Sequence, residues 1–276
     1  MKEYIGGQAV MEGVMMASRK KVAIAVRKPD GKITIKVEKR SEIAEKFRKT
    51  PFLRGLISLF EMLIIGTKAL TWSSNESLEK DEKIGGTGIF FTIILSLIFA
   101  VGLFIVLPLI LSKLLTQNRI LFNLIDGFWR ILIFIIYLLL ISRFEDIKRV
   151  FQYHGAEHKA VNCYEAGKTL TAKNAQKFST IHPRCGTSFI FIVLFVSIIL
   201  FSLVWSESLL LKFIYRVILI PVIAMISYEI LRFNARKPNK ILGILTKPGL
   251  WLQKITTQEP DLKMLEVSIR ALKATM

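Results

Sequence analysis

Four stretches of the chain stay apolar long enough to cross a bilayer, whose core of about 30 Å needs about 20 residues of helix with every backbone amide satisfied within it. They cover residues 87–111, 120–141, 187–205 and 209–233. The second carries Asp126 and Arg130, four residues apart and so on one helix face, where they can pair. Pro108 falls near the end of the first, Trp205 gives the third an aromatic end suited to the lipid–water boundary, and Pro221 and Glu229 interrupt the fourth. A fifth stretch, 53–72, is long enough to span, but Arg54, Glu61 and Lys68 recur every seven residues and draw a charged stripe along it. That stripe predicts an interfacial or re-entrant helix.

Alternation with period two is confined to the N-terminal part. Val22, Ile24 and Val26, then Ile33, Ile35 and Val37, flank the turn residues Pro29, Asp30 and Gly31 and predict a β-hairpin. At the other end Leu262, Leu265, Ile269 and Leu272 take helical spacing after Pro260 and a capping Asp261. They predict a helix lying on the membrane surface, preceded by KPGLWLQKITTQEP, whose Trp251 and lysines suit the same place. The expected fold class is a mainly α, polytopic membrane protein with about four transmembrane helices, one interfacial or re-entrant helix and a small N-terminal cytoplasmic β-hairpin. Along the chain this gives a Gly-rich segment and hairpin over 1–50, the interfacial or re-entrant helix over 51–76, spans one and two over 87–142, a loop over 143–186, spans three and four over 187–233 and an amphipathic tail over 234–276.

Composition adds orientation. Of 276 residues 52% are hydrophobic, mean hydropathy is +0.47, and the formal net charge is still +18. A disordered chain does not have this balance, and two cysteines are too few for a disulfide-stapled secreted domain. With four spans the basic N-terminal region, the loop and the tail share one side of the membrane, and two short links share the other. That is the positive-inside pattern of an inner-membrane protein with both termini cytoplasmic, and a fifth span would break it. The opening residues have no uninterrupted apolar core and predict no signal peptide. Neither GxxxxGK[ST] nor GxGxxG occurs, so nucleotide binding has no support, although Gly6, Gly7 and Gly13 permit close backbone approach. The basic charge is explained by topology and anionic lipid; the expected partners are the bilayer and another membrane protein complex, not nucleic acid.

The rarest side chains gather in one place. All three histidines, His154, His158 and His182, and both cysteines, Cys163 and Cys185, fall in the loop between spans two and three. FQYHGAEHKAVNCYEAGK reads as a helix, so His154 and His158, four residues apart, stand one above the other and can bind one ion. With Glu157 they spell HxxEH, the spacing of the inverted zincins, in which the carboxylate serves as general base. STIHPRCGTSF adds His182 and Cys185 at a turn formed by Pro183 and Gly186. His154, His158, His182 and Cys185 suit zinc or another divalent transition metal; four protein ligands would make the site structural, three plus water catalytic. On an unbroken helix Cys163 lies opposite His154, whereas Glu165 faces nearly the same way. A metal-free hydrogen-bonded cluster and thiol chemistry are the alternatives. Glu61 and Glu229 are acids in apolar surroundings and are expected to pair with an arginine such as Arg54 or Arg232. Glu12, Arg54, Glu61, Cys163, Glu165 and Arg184 complete the candidate site as supporting or substrate-contacting groups.

Five segments, IGGQAVMEGVMM, RGLISLFEMLIIGTKAL, YHGAEHKAVNCYEAG, HPRCGTSF and PGLWLQKITTQEP, resemble in order the motifs of the YqhQ-like family of bacterial multi-pass membrane proteins, over nearly the whole chain. The family's label of predicted metal-dependent enzyme implies roles for His154, Glu157, His158, His182 and Cys185 and specifies no reaction. Two functions stand as expectations. One is a cytoplasm-facing, membrane-embedded metal-dependent hydrolase with Glu157 as base. The other is a non-enzymatic scaffold or assembly factor in which any metal only staples the loop. A transporter using Asp126, Arg130 and Glu229 is a third.

Overall fold

The computed structural model describes residues 4–47, 49–78, 86–204, 206–236 and 240–276. Strands β1 (Gly6–Val10), β2 (Gly13–Ala17), β3 (Lys21–Arg27) and β4 (Ile33–Lys39) form an antiparallel sheet in the order β1-β2-β3-β4. The expected hairpin is its β3–β4 half, paired from Lys21 with Lys39 to Arg27 with Ile33. The β1–β2 half corrects the sequence reading, which held only a Gly-rich segment there. All of β2 is buried, Val14 and Met16 in one layer and Met15 and Ala17 in the other. A strand covered on both faces carries no polar–apolar alternation by which it could be read.

Helices cover both faces of the sheet. A short α1 (Glu42–Phe47) leads to α2 (Leu53–Ser77), which lays Met62, Ile65, Ala69 and Trp72 on one face. The opposite face receives α6 (Glu145–Glu165) and α11 (Leu262–Thr275). The apolar face of the tail helix is therefore buried in protein, against the sheet and α6. Leu265, Val267, Ala271 and Leu272 are fully buried with Tyr153, Ala156 and Ala160 of α6, and Asp261 caps α11 by accepting from Met264 N at 2.7 Å. Its apolar spacing specifies a one-sided helix and is silent on whether lipid or a sheet occupies that side. The segment before it belongs to α10 (Lys240–Thr256): Trp251 and Lys254 are exposed, as a surface reading requires, but Leu252, Gln253 and Thr256 are buried.

Among the described residues four helices are long and apolar enough to cross a membrane: Gly86–Leu115, Arg119–Ile141, Gly186–Leu203 and Leu209–Asn234. The first consists of α3 (Gly86–Val101) and α4 (Leu107–Leu115) joined by a π-helical turn over Gly102–Val106. Next come α5 (Arg119–Ile141), then after α6 a short α7 (Ala172–Ala175), α8 (Gly186–Leu203) and α9 (Leu209–Arg236). Trp205, the expected aromatic anchor, lies outside the described residues. Large apolar side chains such as Phe90, Phe91, Leu95 and Ile98 stand exposed on α3, which requires lipid around them. The fold is thus that of a multi-span membrane protein carrying a sheet-based layer at one end.

Helix α2 is not among the four. Two charges of its stripe are held by neighbours, Arg54 pairing with Glu229 of α9 and Glu61 with Arg40 beyond β4, while Lys68, Phe60, Leu63 and Ile64 are exposed. The expected Asp126–Arg130 pair is present at 3.0 Å, and α9 adds Arg216 at 2.9 Å from the other carboxylate oxygen. Replacing Leu265 by Ala is expected to cost about 2–5 kcal/mol of unfolding free energy, and replacing exposed Lys263 by Ala to stay within about 0.5 kcal/mol. Denaturant titration of the solubilised chain checks this, since a tail helix resting on lipid would give both variants the same stability.

Candidate metal centre

Helix α6 runs unbroken through HGAEH, so the His154 and His158 rings meet edge to face, with centroids 4.5 Å apart and planes at 64°. Each ring is oriented by a backbone carbonyl. His154 Nδ1 lies 2.8 Å from Thr256 O, and His158 Nδ1 lies 2.5 Å from Thr180 O. A carbonyl oxygen only accepts, so each Nδ1 carries the proton and each Nε2 presents a lone pair. Gly155 allows the first of these bonds: any side chain there would overlap the carbonyl oxygen of Gln258, and the close approach is sealed by Gln258 N donating to Phe151 O at 2.9 Å.

Cys185 arrives from the membrane side as the cap of α8, its sulfur accepting from Thr187 N at 3.4 Å and lying 3.2 Å from His154 Nε2. One ligand atom from each of His154, His158 and Cys185 lies within 4.8 Å of the other two. His182 stands beside this group, its ring 5.7 Å from that of His158, with both nitrogens engaged elsewhere. Nδ1 accepts from Arg184 N at 3.3 Å, which leaves Nε2–H to donate to Glu165 at 3.4 Å. The turn carrying His182 is clamped by the buried Gln253 amide, which accepts from His182 N and donates to His182 O, both at 2.9 Å.

Glu157 is buried, accepts a hydrogen bond from the Gly7 backbone and leaves Oε2 with no partner among the described residues. Burial pushes its carboxyl up to about 8 against that bond. Burial likewise lowers His154 and His182, lowers His158 to about 3 with help from His154, and raises Cys185 to about 11. The imidazoles are held neutral, the form that ligates a metal. His154, Glu157, His158, His182 and Cys185 share the wall of an open cavity of about 750 Å³, lined also by Gly7 and Gln8 of β1, Met62 of α2 and Tyr228 and Arg232 of α9.

The remaining expected residues divide. Arg184 lines the cavity, pairs with Glu165 and lies with Cζ 4.6 Å from the Tyr4 ring centroid. Glu12 sits at the β1–β2 turn with φ 49°, paired with Arg149 and 3.4 Å from the Tyr153 hydroxyl, where it braces α6 against the sheet. Arg54 and Glu61 hold α2 in place, as above. Cys163 packs into the core under α11, its thiol 3.8 Å from Thr169 O. Gln253 and the carbonyls of Thr180 and Thr256 are not legible in the sequence, because a backbone acceptor has no residue type; the Gly6-Gly7 pair is the only trace of β1 reaching the site.

A family model described as "Protein of unknown function (DUF1385)" matches residues 50–276. Over 293 aligned residues the chain is 37% identical to a protein of Bacillus subtilis (strain 168) called "Uncharacterized protein YqhQ", covering 96% of the chain and 90% of that protein. No solved structure matches the chain.

The two neighbouring glycines make a sharp comparison. A methyl at Gly7 would overlap Met15 O and press on Glu157, whereas nothing lies within 4 Å of one at Gly6. Gly7→Ala should destabilise the fold by about 1–3 kcal/mol and Gly6→Ala by less than about 0.5 kcal/mol, a difference read from thermal unfolding of the two variants.

Proposed function

The chain belongs to the DUF1385 family of multi-span membrane proteins, whose function is unknown, and from that premise we propose that it is a membrane-embedded metal-dependent hydrolase. The observation that carries this reading is the donor set. Two neutral histidines, each tied at Nδ1 to a backbone carbonyl, turn Nε2 toward one cysteine sulfur in the wall of a large cavity. Outer hydrogen bonds of this kind orient metal ligands and fix their tautomers. His154, His158 and Cys185 would hold zinc or another divalent transition metal, with His182 held aside by Arg184 and Glu165, so that three ligands rather than four come from the protein. The unpartnered Glu157 Oε2 is the kind of buried polar atom that requires a partner.

A divalent metal bound there would supply Lewis acidity to a hydrolysable bond. The chain's own residues supply the rest. Glu157, buried on the cavity wall that it shares with His154, His158 and Cys185, takes a proton from water and returns it to the leaving group. The cavity lined by β1, α2 and α9 leaves room for a substrate beside these groups. The basic N-terminal region, loop and tail support an orientation with the sheet and this site in the cytoplasm, within the inner membrane. In the transporter alternative Asp126 and Glu229 would have to exchange partners, and each is held in its own ion pair.

Full-length protein purified without chelator should contain about one divalent ion per chain. His158→Ala should weaken metal affinity by about 10–100-fold or more, and His182→Ala should leave metal content unchanged. Glu157→Gln should keep the metal and lower hydrolysis of a fluorogenic ester and peptide panel by about 10²-fold or more. X-ray absorption showing four protein ligands, or protein without metal, would favour a scaffold with a structural or absent ion and sink the hydrolase.

A further inference from the structure

Among the described residues no strand pairs with either edge of the sheet, and the two edges are built differently. The β4 edge carries Lys36, Glu38 and Lys39, with Lys36 and Glu38 paired at 2.7 Å. Charges of this kind block the addition of a further strand. The β1 edge, GGQAV, has neither charge nor proline, and among the described residues no strand pairs with it.

Backbone alternation tells which groups of β1 face that open edge. The Met15 carbonyl points at β1, where it would collide with a side chain on Gly7, so Gln8 and Met15 form a hydrogen-bonded pair and Gly7 and Ala9 do not bond to β2. Gly7 and Ala9 therefore turn their N–H and C=O groups outward. The Gly7 N–H is already used, and by Glu157. The unprotected edge thus lies directly against the acid of the candidate site, and Gly6, Gly7, Gln8 and Ala9 line the same cavity as His154, His158 and Cys185. That cavity of about 750 Å³ also reaches Gly186 and Thr187 at the start of α8 and Tyr228 near the end of α9, so a chain leaving the bilayer can enter it.

We propose that β1 is a docking strand: the substrate is an extended polypeptide segment at the membrane surface that adds to the outer edge of β1 and is thereby laid across His154, Glu157, His158 and Cys185. This rests on the hydrolase reading for what happens to the segment, but not for its capture. Main-chain hydrogen bonds to Ala9 and to the Gly7 carbonyl give affinity with little demand on side chains, the usual property of strand addition. Gly6, with open space around it, leaves room for the added strand.

The test uses the full chain in lipid nanodiscs, carrying Glu157→Gln and treated with chelator so that nothing is cleaved. It is offered a random decapeptide library and the same library with its backbone amides N-methylated. Retention of the unmethylated pool at least tenfold above the methylated one is expected. Gly6→Lys, which puts on β1 the kind of charge that guards β4, should abolish the difference while leaving thermal unfolding unchanged, and Ala9→Pro, which removes an outward N–H, should also abolish it. Equal retention of both pools, retention of neither, or a preference that survives Gly6→Lys overturns the docking strand, including the case in which co-purified lipid fills the cavity instead. Ester hydrolysis without peptide capture would sink the docking strand alone; peptide capture in a protein that binds no metal would sink the hydrolase alone.

Discussion

The hydrogen bond from His154 Nδ1 to the Thr256 carbonyl joins parts of the chain that are otherwise held by different forces. His154 belongs to α6, which is buried against the sheet, and Thr256 ends α10, which packs on the membrane helix α8. Gly249 brings α10 against the backbone of Ser188 in α8, and Gln253 clamps the His182 turn just before it. Cys185 then reaches His154 Nε2 from the first residue ahead of α8. The donor set is therefore assembled by the packing of a membrane helix onto a sheet-borne helix, and no single segment holds it.

A relay of ion pairs ties the same two halves together. Asp126 of α5 pairs with Arg216 of α9, Glu229 of α9 with Arg54 of α2, and Glu61 of α2 with Arg40 at the end of β4. The first two pairs join one helix to the next and the third joins a helix to the sheet, and a charge in apolar surroundings is tolerated only when paired. Removing one member leaves the other uncompensated, so these contacts fix the relative placement of helices more than they add net stability.

What the sequence made legible follows from what leaves a periodic or compositional mark. The four spans, the β3–β4 hairpin, the Asp126–Arg130 pair and the Asp261 cap all show because lipid, alternation, helical spacing and capping chemistry select residue types. The concentration of histidine and cysteine pointed to the site, and the opposite placement of Cys163 from His154 follows from an unbroken helix. The β1–β2 hairpin was hidden by burial on both faces. Helix α11 showed its buried face without showing what buries it. Arg216 and Gln253 act across long stretches of chain, and nothing local marks them. Charge asymmetry between the two sheet edges is written plainly in GGQAV and ITIKVEK, but only the strand order gives it meaning.

Gly155 carries an implication for how such a chain can vary over time. The position looks like a free spacer in HxxEH, yet the carbonyl of Gln258 fills the space a side chain would take. A mutation at 155 obliges the segment 256–258 to retreat, and the Thr256 carbonyl withdraws from His154 with it. A side chain at 155 is therefore tied to a shift about a hundred residues downstream, and two sites that seem independent along the sequence obey one steric constraint.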